Sequence, residues 1–297
     1  MGLEELYTSF KNAALETIKT ASIYIPLDVY EALKKAWETE ENPVAKKQLE
    51  AILENIRLAA IEKKPICQDT GMMIFYVEVG KDFPLLGRIK DALTEAVREA
   101  TVKVPLRPNA VDPMIGKNTG DNTGRYMPWV EYNIVEGDSA RITFVAKGGG
   151  GEWPTEVKML SPTLGLKGAK RFIIETVYEA GAKPCPPVIV SVGIAGALDI
   201  ALTLSKRGLT RPIGVRHPEP KVAELEEELL ELINMIGIGP HGFGGKTTAL
   251  DVKVDYGARH PACYAVAVSF LCWAARRATF EIDSKGKWSI ISKHYMG

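Results

Sequence analysis

A chain of 297 residues is long enough to bury a sizeable core without disulfide staples. Its 37 Lys and Arg balance its 37 Asp and Glu, so no bulk charge favours nucleic acid or an anionic membrane, and any basic group that grips an anion must act locally. No apolar run approaches the ~18 residues of a membrane span, the amphipathic, acid-containing N-terminus lacks the features of a secretory signal, and the expected location is the cytoplasm.

The first 62 residues read as helices. Leu6, Phe10, Ala14 and Ile18 recur at helical spacing, and Pro26 and Pro43 open two further helices. A loop around Cys67 then leads to a strand at 73–79 and a helix at 84–102. Residues 104–128 are loop-rich. Two strands, 130–135 and 140–146, lead into the glycine run Gly148–Gly149–Gly150–Gly151. A helix over 168–182 runs into Cys185-Pro186-Pro187. The strand 188–192, a Gly-Ile-Ala-Gly turn, and helices at 197–206 and 220–235 follow. Beyond Asp251 the pattern reads as strands, although the apolar run 264–273 suits a buried helix equally well. Helices first, then mixed strands and helices, predict an α+β fold around a site. With no repeat and no low-complexity linker, residues 1–297 are expected to form one domain.

The four cysteines include no C-x-x-C pair, which argues against a zinc ribbon, and cytoplasmic cysteines seldom pair as disulfides. Taken alone, a cysteine is by default a core residue. Cys67 departs from that default because Gln68, Asp69, Thr70 and Gly71 follow it, poor core chemistry beside a thiol. Cys185 sits among prolines that stiffen the chain; an incidental cysteine in a stiff loop and a held ligand are equally good readings. Cys263 and Cys272 flank an apolar run, and each alone reads as core. Thiolates from distant segments suit an iron–sulfur cluster, but spacing does not establish one.

Other candidates carry two readings each. Arg107, in a loop, is a surface arginine or a carboxylate clamp. His260 is a surface histidine or an acid–base group. Asp69 is a solvated loop carboxylate or a proton carrier. The glycine run is a turn or a place of close backbone approach to a ligand. Asn118–Asn122 reads as a structural loop. The segment ending Gly245-Lys246-Thr247 imitates a phosphate loop, but Pro240 stands where that motif needs its first glycine, and a strand-like run follows where it needs a helix.

The segments ICQDTG, NTGDNT, KGGGG, CPPVIVSVGIAG, GIGPHGFGGKTTALDVKV and LCWAARR together resemble the class I, iron–sulfur-dependent fumarases and the related tartrate dehydratases. The resemblance runs from about residue 5 to residue 282. It implies a 4Fe-4S cluster held by Cys67, Cys185 and Cys272. Cys272 is preferred to Cys263 because Ala274 and Ala275 lead from it to Arg276, and because it follows His260 at the family's distance. The resemblance further implies that Gln68, Arg107, Gly149 and Gly150 bind a small dicarboxylate, and that Asp69 and His260 act in catalysis. Single-chain members carry a further C-terminal domain. This sequence ends without it, so the expectation is an alpha subunit whose separate beta subunit supplies the base, in a hetero-oligomer. Hydration of fumarate to malate is the first expectation. Dehydration of tartrate is the second, and a non-catalytic cluster scaffold the third. Gly151 and Trp153 stand where Ser and Asn are usual, Gly124-Arg125 where Pro-Ala is usual, and His241 where Gln is usual. These departures bear on the substrate more than on the cluster.

Overall fold

The computed structural model describes residues 2–297. It is α+β, with helices α1 (Leu3–Ile23), α2 (Leu27–Thr39) and α3 (Pro43–Glu62) first. Then come β1 (Met72–Gly80), α4 (Ile89–Lys103), the short strands β2 (Val111–Asp112) and β3 (Lys117–Asn118), β4 (Trp129–Val135) and β5 (Ala140–Lys147). The one-turn α5 (Gly149–Glu152), β6 (Glu156–Leu160), α6 (Gly165–Ala180), β7 (Val188–Ala195), α7 (Leu198–Gly208) and α8 (Pro220–Met235) follow. The chain closes with β8 (Ala249–Tyr256), β9 (Tyr264–Leu271), β10 (Arg277–Ile282) and β11 (Trp288–Ile290).

These elements group into two compact units, neither contiguous in sequence. The first comprises Met1–Leu27, Asn55–Gly148 and Arg276–Gly297; the second comprises Asp28–Glu54 and Gly149–Ala275. Because the chain passes between them more than once, no linker composition marks the division.

The first unit holds a sheet of order β11-β10-β5-β1-β4. β1 runs antiparallel to β5 and parallel to β4. Met73, Phe75, Val77 and Val79 alternate onto its covered face, where α1 and α4 pack. Phe10 of α1 meets Phe280 edge-on at 5.5 Å, and Phe75 meets Phe144 at 5.0 Å. Each such buried ring contributes roughly 2–3 kcal/mol of transfer free energy. Gly71, with φ +81°, ends the Cys67 loop; a Cβ there would stand 2.7 Å from the carbonyl carbon of Ala146. Only glycine lets the loop close onto β5.

The second unit holds a sheet of order β6-β9-β7-β8, covered on both faces. Large residues, Val188, Val190 and Val192 of β7 with Val266, Val268 and Phe270 of β9, meet α6 and α8. Small ones, Ser191, Gly193, Ala265, Ala267 and Ser269, face the other way, where α7 packs. A strand buried on both sides loses its polar alternation, which is why 264–273 read as helix or strand. It is a strand. The Gly-Ile-Ala-Gly turn expected at 193–196 is likewise mostly strand, since β7 runs on to Ala195. Gly193 is there for contact: a Cβ on it would overlap the carbonyl oxygen of Ala201 in α7.

Candidate active site

In the first unit, the structure brings Cys67, Gln68, Asp69 and Arg107 together. Cys67 is half-buried, and its thiol donates to Gln68 Oε1 at 3.4 Å. Asp69 Oδ1 accepts from the Gly71 N–H at 3.0 Å and from Asn109 Nδ2 at 3.4 Å, which fixes the plane of the carboxylate. The Arg107 carbonyl accepts from Thr70 Oγ1 and from Asn122 Nδ2, both at 3.1 Å. The cysteine loop and the arginine loop are thereby stitched together, with Arg107 itself exposed. Asn118 and Asn122 serve as loop ties: Asn118 Nδ2 donates to the Pro108 carbonyl, and Asn122 Oδ1 accepts the Asn109 N–H at 2.6 Å. Arg276 is 1% exposed, and its Nη1 donates to the Asp69 carbonyl. A Cβ on Gly148 would stand 2.8 Å from Asp69 Oδ2 and 3.4 Å from Arg276 Nη2, so Gly148 leaves room for that pair.

In the second unit, the Trp273 N–H donates to the Cys185 carbonyl at 3.2 Å, which sets the backbones of Cys185 and Cys272 side by side. Cys185 is exposed and has φ +53°; Cys272 is half-buried. The glycine run packs on the same segments: Cβ atoms on Gly150 and Gly151 would stand 3.0 Å from the carbonyl oxygens of Lys183 and Phe270. Gly149, Gly150, Cys185 and Cys272 thus gather at one end of the sheet. Cys263 and His260 are at the other end, because β9 lies between them and Cys272; its eight residues span roughly 26 Å of extended chain. His260 is exposed and accepts the Ala262 N–H at Nδ1, 3.1 Å away.

His241 also reaches the thiol end. Its N–H donates to the Pro186 carbonyl at 2.8 Å, and its ring centroid is 6.3 Å from that of Trp273. Gln48 Nε2 lies 2.9 Å from Nδ1, while Nε2 is buried without a partner among the described residues. Burial lowers the imidazole pKa, so the ring is neutral at pH 7.

The false phosphate loop has a plain explanation. Glu40 Oε2 accepts the Lys246 N–H at 2.8 Å, and a Cβ on Gly245 would stand 2.6 Å from that oxygen. A carboxylate occupies the ground a phosphate would need.

None of the four cysteines forms a disulfide. Among the described residues, no group of three or more His, Cys, Asp or Glu could hold a single metal ion. Cys185 and Cys272, brought near each other along the backbone, are soft donors of the kind iron–sulfur clusters take, with thiolates spread over several metal atoms. The sequence does not single out Asn109, and marks Arg276 only as the end of a family motif; what they hold, the Asp69 carboxylate and carbonyl, is distant in the chain. No helix among the described residues is long and apolar enough to cross a membrane.

The first unit thus carries a carboxylate and an arginine on stitched loops, and the second carries Cys185 and Cys272 beside glycines. Residues 11–281 match the family model described as fumarate hydratase (Fumerase), and the chain belongs to this family of hydro-lyases. The L(+)-tartrate dehydratase subunit alpha of Escherichia coli strain UTI89 is 44% identical over 264 residues, 89% of this chain and 87% of its own length. The protein of the same name from strain K12 is 43% identical over the same shares. A relative from Methanocaldococcus jannaschii is 41% identical over 280 residues, 93% of this chain and 98% of its own length.

Proposed function

We propose that this chain is the alpha subunit of an iron–sulfur-dependent L(+)-tartrate dehydratase, working with a separate beta subunit. One observation carries the reading: 44% identity, over most of both chains, to a protein named as that subunit. Fumarate hydration, the first expectation from sequence, becomes the second reading, supported by the description of the family model.

Cys67, Cys185 and Cys272 are the ligand set, on the strength of the sequence resemblance. When bound, the cluster supplies an open iron that acts as a Lewis acid toward the departing hydroxyl. Arg107 pairs with a substrate carboxylate through two parallel N–H donors. On the strength of the same resemblance, the backbone of Gly149 and Gly150 meets the substrate, the missing Cβ of Gly150 letting the run pack on Lys183, and Gln68 adds an amide to the grip. Asp69, its plane fixed by Gly71 and Asn109, holds or delivers a proton. Loss of a carbon-bound hydrogen and the neighbouring hydroxyl gives an enol and water; the enol rearranges to oxaloacetate. The base that takes the hydrogen comes from the beta subunit. His260, a strand length from the thiol pair, is assigned no step.

The test is an anaerobic assay of the chain combined with its beta partner on L(+)-tartrate and on fumarate. The expected outcome is a higher kcat/KM for tartrate. A higher value for fumarate would reverse the order of the two readings, and turnover of neither would refute both.

A further inference from the structure

We propose that His241 donates a hydrogen bond from Nε2 to a sulfur of the cluster held by Cys185 and Cys272, and thereby raises the cluster's reduction potential; this rests on the cluster reading above. The placement is the first support. Pro186 and Trp273, the residues that directly follow the two cysteines, are also the ones His241 meets, through its backbone N–H at 2.8 Å and its ring at 6.3 Å. The tautomer is the second. Gln48 presents its amide nitrogen to Nδ1 at 2.9 Å. That nitrogen only donates, so Nδ1 accepts and the neutral ring carries its hydrogen on Nε2.

The third support is the missing acceptor. Nε2 is buried, and no described residue accepts from it. Burying a donor unpaired costs free energy. The backbone is strained at the same residue, since His241 has φ +51° and ψ 19°, a left-handed conformation that residues with a Cβ avoid. A strained loop that buries an unmatched donor, seated on the residues that directly follow Cys185 and Cys272, suits an acceptor that arrives with the ligand. Thiolate and sulfide sulfurs are such acceptors, and hydrogen bonds to them favour the more negatively charged, reduced cluster.

The full chain, reconstituted anaerobically with ferrous iron and sulfide, provides the test. Iron content and the midpoint potential, followed by electron paramagnetic resonance during a redox titration, are compared for the unsubstituted chain, His241→Leu, His241→Gln and Gln48→Leu. The expected result is a more negative potential for His241→Leu at unchanged iron content. His241→Gln, which keeps an N–H donor, should stay near the unsubstituted value, and Gln48→Leu should shift in the same direction as His241→Leu but less. A potential unchanged in His241→Leu at equal iron content overturns the proposal. So does a His241→Gln shift as large as that of His241→Leu. If His241→Leu does not fold, Gln48→Leu decides, and an unchanged potential there overturns it. Failure of the unsubstituted chain to develop cluster absorption refutes the parent cluster reading, and this one with it; a normal cluster indifferent to all three substitutions refutes this one alone.

Discussion

Cys263 and Cys272 stand at opposite ends of one strand, and only Cys272 has its backbone beside that of Cys185. Cys272→Ser should therefore abolish stable cluster loading, while Cys263→Ser should leave iron content and visible absorption unchanged; equal loading in both would refute the ligand assignment. Gly148 makes a second prediction. Its methyl in Gly148→Ala would press on Asp69 Oδ2 from 2.8 Å. Activity of the assembled enzyme should fall at least tenfold with little change in thermal midpoint, as measured by kinetics and calorimetry on the same preparation. Cys67 is set apart in the sequence by Gln68 and Asp69, which look unlike a core, whereas Arg107 stays between surface and site until the family resemblance gives it a role. Arg276 was read only as the end of a family motif, and Asn109 not at all, because what they hold lies far away in sequence.

Elements were legible where one face stays wet and hidden where both are dry. The helix at 220–235 was read with its observed limits, Pro220–Met235, because Pro starts it and its apolar residues keep a helical period. The extension of β7 through Gly193 was not, because glycine ordinarily marks a turn and the neighbouring helix that demands it is invisible in a local window. The contact makes Gly193→Ala severe. A Cβ there meets the Ala201 carbonyl of α7, and overpacking of this kind costs about 1–3 kcal/mol or more. Urea unfolding should show that loss in the midpoint. A midpoint within error of the unsubstituted chain would mean that α7 does not press on β7 as described.

At the scale of the whole molecule, the two units could not be read from sequence, since both are assembled from separated segments. The second carries a buried charge network. Lys253 Nζ meets Asp251 Oδ2 at 2.7 Å and donates to the carbonyls of Pro212 and Val215, while Arg216 Nη1 meets Asp251 Oδ1 at 2.5 Å. Lys253→Met leaves Asp251 to Arg216 and the Gly214 N–H and strips the Pro212 and Val215 carbonyls of their donor, so it should destabilise by at most about 3–5 kcal/mol in urea unfolding. Burial alone would raise the Asp251 pKa, but Lys253, the Gly214 N–H and Arg216 outweigh it and hold the carboxyl below its usual range. A carboxylate depressed in the folded state stabilises the fold above its unfolded pKa of about 3.9 and loses that contribution as pH falls through the folded value. Unfolding free energy should accordingly decline in acid, and Asp251→Asn should flatten that decline. The proposed function depends on this chain carrying the iron–sulfur cluster that its sequence resemblance implies. Iron and acid-labile sulfide measured on the anaerobically reconstituted chain test this most directly. The prediction is equal amounts of iron and sulfide with thiolate-to-iron absorption in the visible, all lost in Cys185→Ser. A chain that folds but retains neither iron nor sulfide, alone or with the proposed beta subunit, would contradict it.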